Sequence, residues 1–219
     1  MKREDVCRYI ERVGIVPVVR APSPELAVRA ADALVAGGVS VLEITMTVPD
    51  AVSVLALLSE RFGERALVGA GTVLNAEQAR ACLDAGARFI VSPGLDLGTV
   101  EAVRARGVAM LPGALTPTEV MAAVKAGADM VKIFPCSALG GAPYLRALRG
   151  PLPQVKLLPT GGVSLSTAHE YIAAGAVALG VGTELVDTAL LSAGKDSELT
   201  HRAQQFVAAV RSARENTAR

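Results

Sequence analysis

Two ionisable side chains stand inside runs that are otherwise apolar. Lys132 lies in Met130-Val-Lys-Ile-Phe-Pro135 and Glu43 in Val41-Leu-Glu-Ile-Thr-Met46. In an extended strand alternate residues face opposite sides. Leu42, Ile44 and Met46 then share one face, as do Val131 and Ile133. If those faces pack on helices, Glu43, Lys132 and Phe134 point to the opposite, inner side. Arg20, after Val16 and Val18, and Thr72, after Val68 and Ala70, are assigned the same inward parity. The chemistry open to such a set is specific. Desolvation favours the neutral form of an amine, which is the nucleophile. A lysine amine held among Met130, Phe134 and Pro135 can add to a ketone and give a carbinolamine and then an iminium. The iminium is an electron sink that allows the bond one carbon away to break. Each step moves a proton, a task suited to a carboxyl in a partly apolar site such as Glu43. A buried ion pair kept for structure is the alternative, and such pairs often gain little over apolar packing.

Two glycine-rich turns, Thr160-Gly161-Gly162-Val163 and Gly180-Val181-Gly182-Thr183, follow consecutive apolar runs late in the chain. Glycine turns present backbone N–H groups to anions, and in β/α barrels a phosphate commonly sits after the last two strands. A tight turn without a ligand is the plainer reading of either one alone. Metal chemistry has little support. The only histidines, His169 and His201, fall on expected late helices, with no carboxylate spacing of a zinc site. No metal and no cofactor are expected.

The elements that must position these groups are legible as a repeating unit. Short apolar runs at 15–19, 41–46, 67–73, 89–93, 109–113, 130–135, 156–161 and 177–182 alternate with Ala/Leu/Val-rich stretches dotted with Glu and Arg. Ser23-Pro24-Glu25, Asn75-Ala76-Glu77 and Thr116-Pro117-Thr118-Glu119 each place a cap before an acid in the first turn. Ala36-Gly37, Ala85-Gly86, Ala126-Gly127 and Ala174-Gly175 read as helix ends with a left-handed glycine cap. Eight such units predict an α/β fold, a single (β/α)8 TIM barrel with an N-terminal helix, filling residues 1–219 as one domain. An open doubly wound sheet would carry a Gly-x-Gly-x-x-Gly turn after its first strand, where this chain reads Val19-Arg20-Ala21-Pro22.

Composition narrows the function classes. Hydrophobic residues make up 51% of 219 and aromatics only 3%, so the core is built from small branched side chains that suit a parallel barrel. A net charge of +1 gives no electrostatic footprint for nucleic acid. The late basic residues His201, Arg202, Arg211, Arg214 and Arg219 are read as a solvated helix face. The amino-terminal segment is charged throughout and no apolar stretch is long enough to span a membrane. Three cysteines, Cys7, Cys82 and Cys136, without Cys-x-x-Cys spacing fit a reducing cytoplasm.

The runs GGVSVLEIT (37–45), VGAGTVL (68–74), FIVSPGLD (89–96), LPGALTPTE (111–119), VKIFP (131–135), LPTGGV (158–163) and GVGTEL (180–185) together resemble the 2-keto-3-deoxy-6-phosphogluconate (KDPG) and 4-hydroxy-2-oxoglutarate (KHG) aldolases, in order and over essentially the whole chain. That resemblance implies a metal-free class I aldolase that splits KDPG into pyruvate and glyceraldehyde 3-phosphate, in the Entner–Doudoroff route. By the same resemblance Lys132 is the Schiff-base lysine and Glu43 the acid/base carboxylate. Thr45, Thr72 and Pro93 belong to the substrate site, Phe134 is the aromatic beside the lysine, and Gly161, Gly162, Gly182 and Thr183 hold phosphate. It further implies a homotrimer. One departure stands out: Thr47 occupies a position where many members carry a substrate-binding Arg, and Arg20 is expected to take over the carboxylate. Rival readings are the galactonate epimer of the substrate, the unphosphorylated hydroxy-oxoglutarate, a phosphate-binding barrel isomerase or synthase, and a ligand sensor without imine chemistry.

Overall fold

The computed structural model describes residues 1–217. Its chain order is α1 (Arg3–Val13), β1 (Ile15–Val19), α2 (Pro24–Ala36), β2 (Val41–Thr45), α3 (Ala51–Phe62), β3 (Leu67–Gly71), α4 (Ala76–Asp84), β4 (Phe89–Val91), α5 (Leu97–Ala105), β5 (Ala109–Leu111), β6 (Gly113–Ala114), α6 (Pro117–Ala126), β7 (Val131–Ile133), α7 (Ala142–Arg149), β8 (Leu157–Pro159), α8 (Ala168–Ala173), β9 (Leu179–Val181), α9 (Thr188–Ser192) and α10 (Asp196–Thr217), with a 3-10 turn at Cys136–Leu139. The strands are parallel and run in the order β5-β4-β3-β2-β1-β9 and β6-β7-β8. Only Pro112, which has no N–H for a ladder, separates β5 from β6, so these two fill one position. A bridge between Thr160 and Gly180 joins β8 to β9 and closes the ring. Nine strands with two sharing one place give the eight positions of the expected barrel.

Local chemistry explains the helix ends. Ser23 and Asn75 accept from the amides of Leu26 and Gln78, and Thr116 with Glu119 forms a reciprocal capping box. Gly127 ends α6 in the left-handed region, and Gly86 and Gly175 are left-handed just past α4 and α8. Gly37 departs from the expectation. Its φ is −82, and the left-handed residue is Gly38. Gly37 is required for space instead, since a Cβ there would lie 2.4 Å from the Ala203 side chain of α10.

Inside the ring the strand starts form an apolar layer. Val16, Val41, Leu67, Phe89, Met130 and Leu158 pack together there with Val6, Cys7 and Ile10 of α1, which plugs that end. Leu42, Ile44, Val131 and Ile133 face outward into the core shared with the helices, as their alternation predicts. On β3 the inward parity is corrected. Val68 and Ala70 belong to the outer core, and Leu67, Gly69 and Gly71 face the interior. Glycine is needed at both inner positions, because a Cβ on Gly69 would meet the Phe89 ring at 2.4 Å and one on Gly71 would meet Glu43 Oε1 at 2.0 Å. The late basic face is corrected too. Arg214 is half-buried and donates to the carbonyls of Glu11, Arg12 and Val177, tying α10 to α1. Burial pushes its guanidinium down from its ordinary value. His201 and Arg211 are exposed, Arg202 is partly buried, and Arg219 lies outside the described residues.

The Gly69–Phe89 contact makes a test of this packing. Gly69→Ala is expected to destabilise the chain by about 1–3 kcal/mol through overpacking. Phe89→Leu in the same chain should recover part of that loss, read as a favourable coupling in a double-mutant cycle of urea unfolding. Strictly additive losses would show that the two side chains do not compete for this space.

Candidate active site

Regular alternation on β2 and β7 delivers Glu43 and Lys132 to the interior from the middle of each strand. The register places Gly113 opposite Lys132 and Gly69 opposite Glu43. The room for the Glu43 side chain comes from Gly71, where a Cβ would lie 2.0 Å from Oε1. Lys132 Nζ lies 3.8 Å from Glu43 Oε1, with the two side chains 6% and 1% exposed. That is ion-pair range but longer than a hydrogen bond, and among the described residues neither carboxylate oxygen of Glu43 has a hydrogen-bond partner. Burial raises the Glu43 carboxyl above its ordinary value, against the opposing charges of Lys132 and Arg20. The Phe134 ring stands 5.2 Å from Lys132 Nζ and shields it on one side.

A cavity of about 290 Å³ opens above this pair. Arg20, Thr72, Pro93, Lys132, Phe134, Gly161, Gly162, Gly182 and Thr183 all line it, so nearly all the residues singled out from the sequence converge. Thr72 arrives by a different route from the one its parity suggested. Its φ of 56 is left-handed, which breaks the alternation at the end of β3 and lets it line the cavity. Such a conformation is uncommon for a β-branched residue and marks a site held by its surroundings. Glu43 lies beneath Lys132 rather than on the wall. Thr45 is fully buried behind β2, where its hydroxyl donates to the Val19 carbonyl and pairs with Thr47 Oγ1 at 2.7 Å. It braces the β1–β2 edge and does not line the cavity.

The two glycine turns face the cavity together. Gly161 and Gly162 have φ of 91 and 74. The carbonyls of Thr160 and Gly161 accept from the amides of Cys136 and Ser137. Among the described residues the amides of Gly161 and Gly162 have no acceptor in the chain, so the turn offers its donors to a ligand. Thr160, the first residue of the Thr160-Gly161-Gly162-Val163 turn, joins the site as well. It follows Leu158 in inward parity, its hydroxyl is buried without a partner, and it lines the cavity. Glu184, Val163, Val186 and Thr188 complete that end. His169 and His201 are exposed on α8 and α10, and among the described residues no group of three or more His, Cys, Asp or Glu side chains is arranged to hold a metal ion. No helix among them is long and apolar enough to cross a membrane.

Comparison with known proteins accords with this geometry. The model of the KDPG and KHG aldolase family matches residues 6–206. The chain is 39% identical over 193 residues to the KHG/KDPG aldolase of Escherichia coli (strain K12), covering 88% of this chain and 90% of that one. It is 37% identical over 196 residues to the 2-dehydro-3-deoxy-phosphogluconate aldolase of Treponema pallidum (strain Nichols), covering 90% and 93%. Among solved structures, KDPG aldolase from Legionella pneumophila, with pyruvate captured at low pH as a covalent carbinolamine intermediate, superposes with a TM-score of 0.85 at 33% identity, covering 92% and 97%. By family match, by identity over nearly its whole length and by the barrel that carries its buried lysine and glutamate, the chain belongs to the KDPG and KHG aldolases.

Proposed function

We propose that this barrel, as one domain, is a class I aldolase that cleaves 2-keto-3-deoxy-6-phosphogluconate to pyruvate and glyceraldehyde 3-phosphate, and 4-hydroxy-2-oxoglutarate to pyruvate and glyoxylate. The observation that carries this reading is the desolvated pair of Lys132 and Glu43, 3.8 Å apart at the floor of the cavity, with both Glu43 oxygens free of hydrogen bonds to the described residues. The neutral Lys132 amine adds to the C2 carbonyl, and Glu43 gives its proton to the carbinolamine hydroxyl, which leaves as water and yields the iminium and the Glu43 carboxylate. Glu43 as carboxylate takes the C4 hydroxyl proton while the C3–C4 electron pair moves into the iminium, which frees the aldehyde and leaves an enamine. Glu43 returns the proton to C3, and water then adds to the iminium and releases pyruvate and the amine. Arg20 and Thr72 hold the substrate carboxylate, with Pro93 and Phe134 packing around the pyruvyl carbons. The turns at Gly161, Gly162, Gly182 and Thr183 hold phosphate, and the Thr160 hydroxyl offers a further hydrogen bond inside the cavity. No metal or cofactor enters these steps.

Borohydride reduction in the presence of pyruvate tests the imine directly. A gain of about 72 Da on the peptide carrying Lys132, absent from Lys132→Ala, is the expected outcome. A folded protein with no adduct in excess pyruvate would move the isomerase and sensor readings to the front.

Glu43→Gln is expected to lower kcat by about 100- to 10,000-fold, the usual range for a lost acid/base group. It also reports on burial. Because the folded chain holds the Glu43 proton above the ordinary value of 4.5, it binds more protons than the unfolded chain between that value and the folded one. Wild-type stability relative to Glu43→Gln therefore falls as pH rises through that window and levels off above it. Urea midpoints of both proteins across pH give the sign, and a relative stability that rises with pH would mean that Lys132 and Arg20, not burial, dominate.

We further propose a homotrimer working in the cytoplasm. Three free, buried cysteines support a reducing compartment. Leu97, Met121 and Leu74 are 64%, 60% and 55% exposed, apolar surface that a subunit interface would cover. Light scattering should give about three times the 22.5 kDa chain mass; a monomer mass at working concentration would remove the trimer.

A further inference from the structure

Beyond the phosphate turns, Thr183 and Glu184 also line a second, more open groove of about 710 Å³ walled largely by exposed side chains. Its other sides are Ser164, Leu165 and Ser166 from the segment after β8, Asp187 at the start of α9, and Arg202 and Gln205 of α10. The one cation there is committed, because Arg202 Nη1 lies 3.3 Å from Asp187 Oδ2. Asp187 is committed as well, since its other oxygen caps α9 by accepting from Ala189 and Leu190. What remains to meet a ligand is the Glu184 carboxylate and the Gln205 amide, because the Ser164 and Ser166 hydroxyls are bonded to each other at 2.8 Å and Ser164 also accepts from the Thr167 amide. That set contains donors and acceptors, with its uncompensated charge negative. Such a lining repels a second phosphate and suits neutral hydroxyl groups, with a carboxylate able to accept from neighbouring hydroxyls and an amide able to donate and accept.

Resting on the aldolase reading above, we propose that the second groove is a continuation of the substrate site, and that it takes the hydroxylated, unphosphorylated tail of a 2-keto-3-deoxy sugar acid longer than six carbons. With the keto carbon on Lys132, a six-carbon substrate ends at the glycine turns. In this proposal two further carbons carry the chain past Thr183 toward Glu184, which lines both spaces, and Gln205 on the far side. The chemistry is unchanged. The C3–C4 bond breaks, the C4 hydroxyl proton passes to Glu43, and an eight-carbon acid yields pyruvate and a five-carbon aldose. Glu184 is the specificity residue in this scheme, accepting hydrogen bonds from a polyol tail.

The test compares cleavage of unphosphorylated 2-keto-3-deoxy acids of six and eight carbons, with pyruvate release followed by coupling to lactate dehydrogenase. The eight-carbon acid is expected to have a kcat/KM at least about 10-fold higher, the worth of one or two hydrogen bonds to a charged group. Gln205→Ala should remove most of that advantage while leaving the six-carbon acid within about twofold, and Glu184→Gln should remove it as well. A ratio at or below one in the wild-type protein overturns the proposal, and so does a Gln205→Ala loss equal for both acids. Borohydride trapping with pyruvate in the same preparation separates the failures. An adduct on Lys132 with no chain-length preference sinks the extended site alone, and no adduct sinks the aldolase reading with it.

Discussion

The desolvated contact between Lys132 and Glu43 is the constraint that the rest of this barrel serves. Taking two charges out of water is costly, and their attraction repays the cost only when geometry is good and the remaining lone pairs are satisfied. Here the separation is 3.8 Å and neither Glu43 oxygen is hydrogen-bonded to any described residue. As a device for stability the arrangement is poor. As a device for moving protons it is apt, because an unsatisfied carboxyl with a raised affinity for protons can change state without first breaking a bond to the scaffold. The cost is carried by the large apolar core around it, which includes the outward faces of β2 and β7.

Space for the pair and its neighbours comes from missing side chains. A Cβ on Gly71 would overlap Glu43, one on Gly113 would lie 2.1 Å from the Pro93 carbonyl oxygen, and one on Gly180 would lie 2.0 Å from Thr160 Oγ1. Each of these glycines sits on the strand next to a group that reaches the cavity or its floor. The functional side chains are therefore positioned by the absence of bulk on adjacent strands as much as by contacts of their own. At the opposite end of the barrel the same device serves packing, where Gly69 gives room to the Phe89 ring.

Much of this was readable from residue order. The eight apolar runs coincide with the strand positions to within a few residues, and Ser23, Asn75 and Thr116 cap the helices they precede. Glu43 and Lys132 were legible because β2 and β7 alternate regularly with branched residues on the helix side. On β3 the inner positions are glycines, so the apolar signal at Val68 and Ala70 marks the helix side, the reverse of the assigned parity. Thr72 nonetheless lines the cavity, through a left-handed backbone that its residue type does not announce. Thr160 was within reach, two residues after the inward Leu158. Arg214 was not, because its burial depends on carbonyls of Glu11, Arg12 and Val177, distant in the chain.

The plug at the bottom of the barrel has a consequence for the order of events at the top. Val6, Cys7 and Ile10 of α1 close the strand starts together with Val16, Phe89, Met130 and Leu158, all buried. Among the described residues that layer closes the floor, so water comes to Lys132 and Glu43 from the side of the cavity lined by Arg20, Thr72, Phe134 and the glycine turns. In the proposed mechanism the iminium must survive until the C3–C4 bond breaks and must afterwards be hydrolysed, two demands that conflict if water is always present. Entry from that side reconciles them. A bound substrate fills the passage along which water would come, and departure of the aldehyde reopens it, so hydrolysis follows cleavage for steric reasons and needs no separate gate.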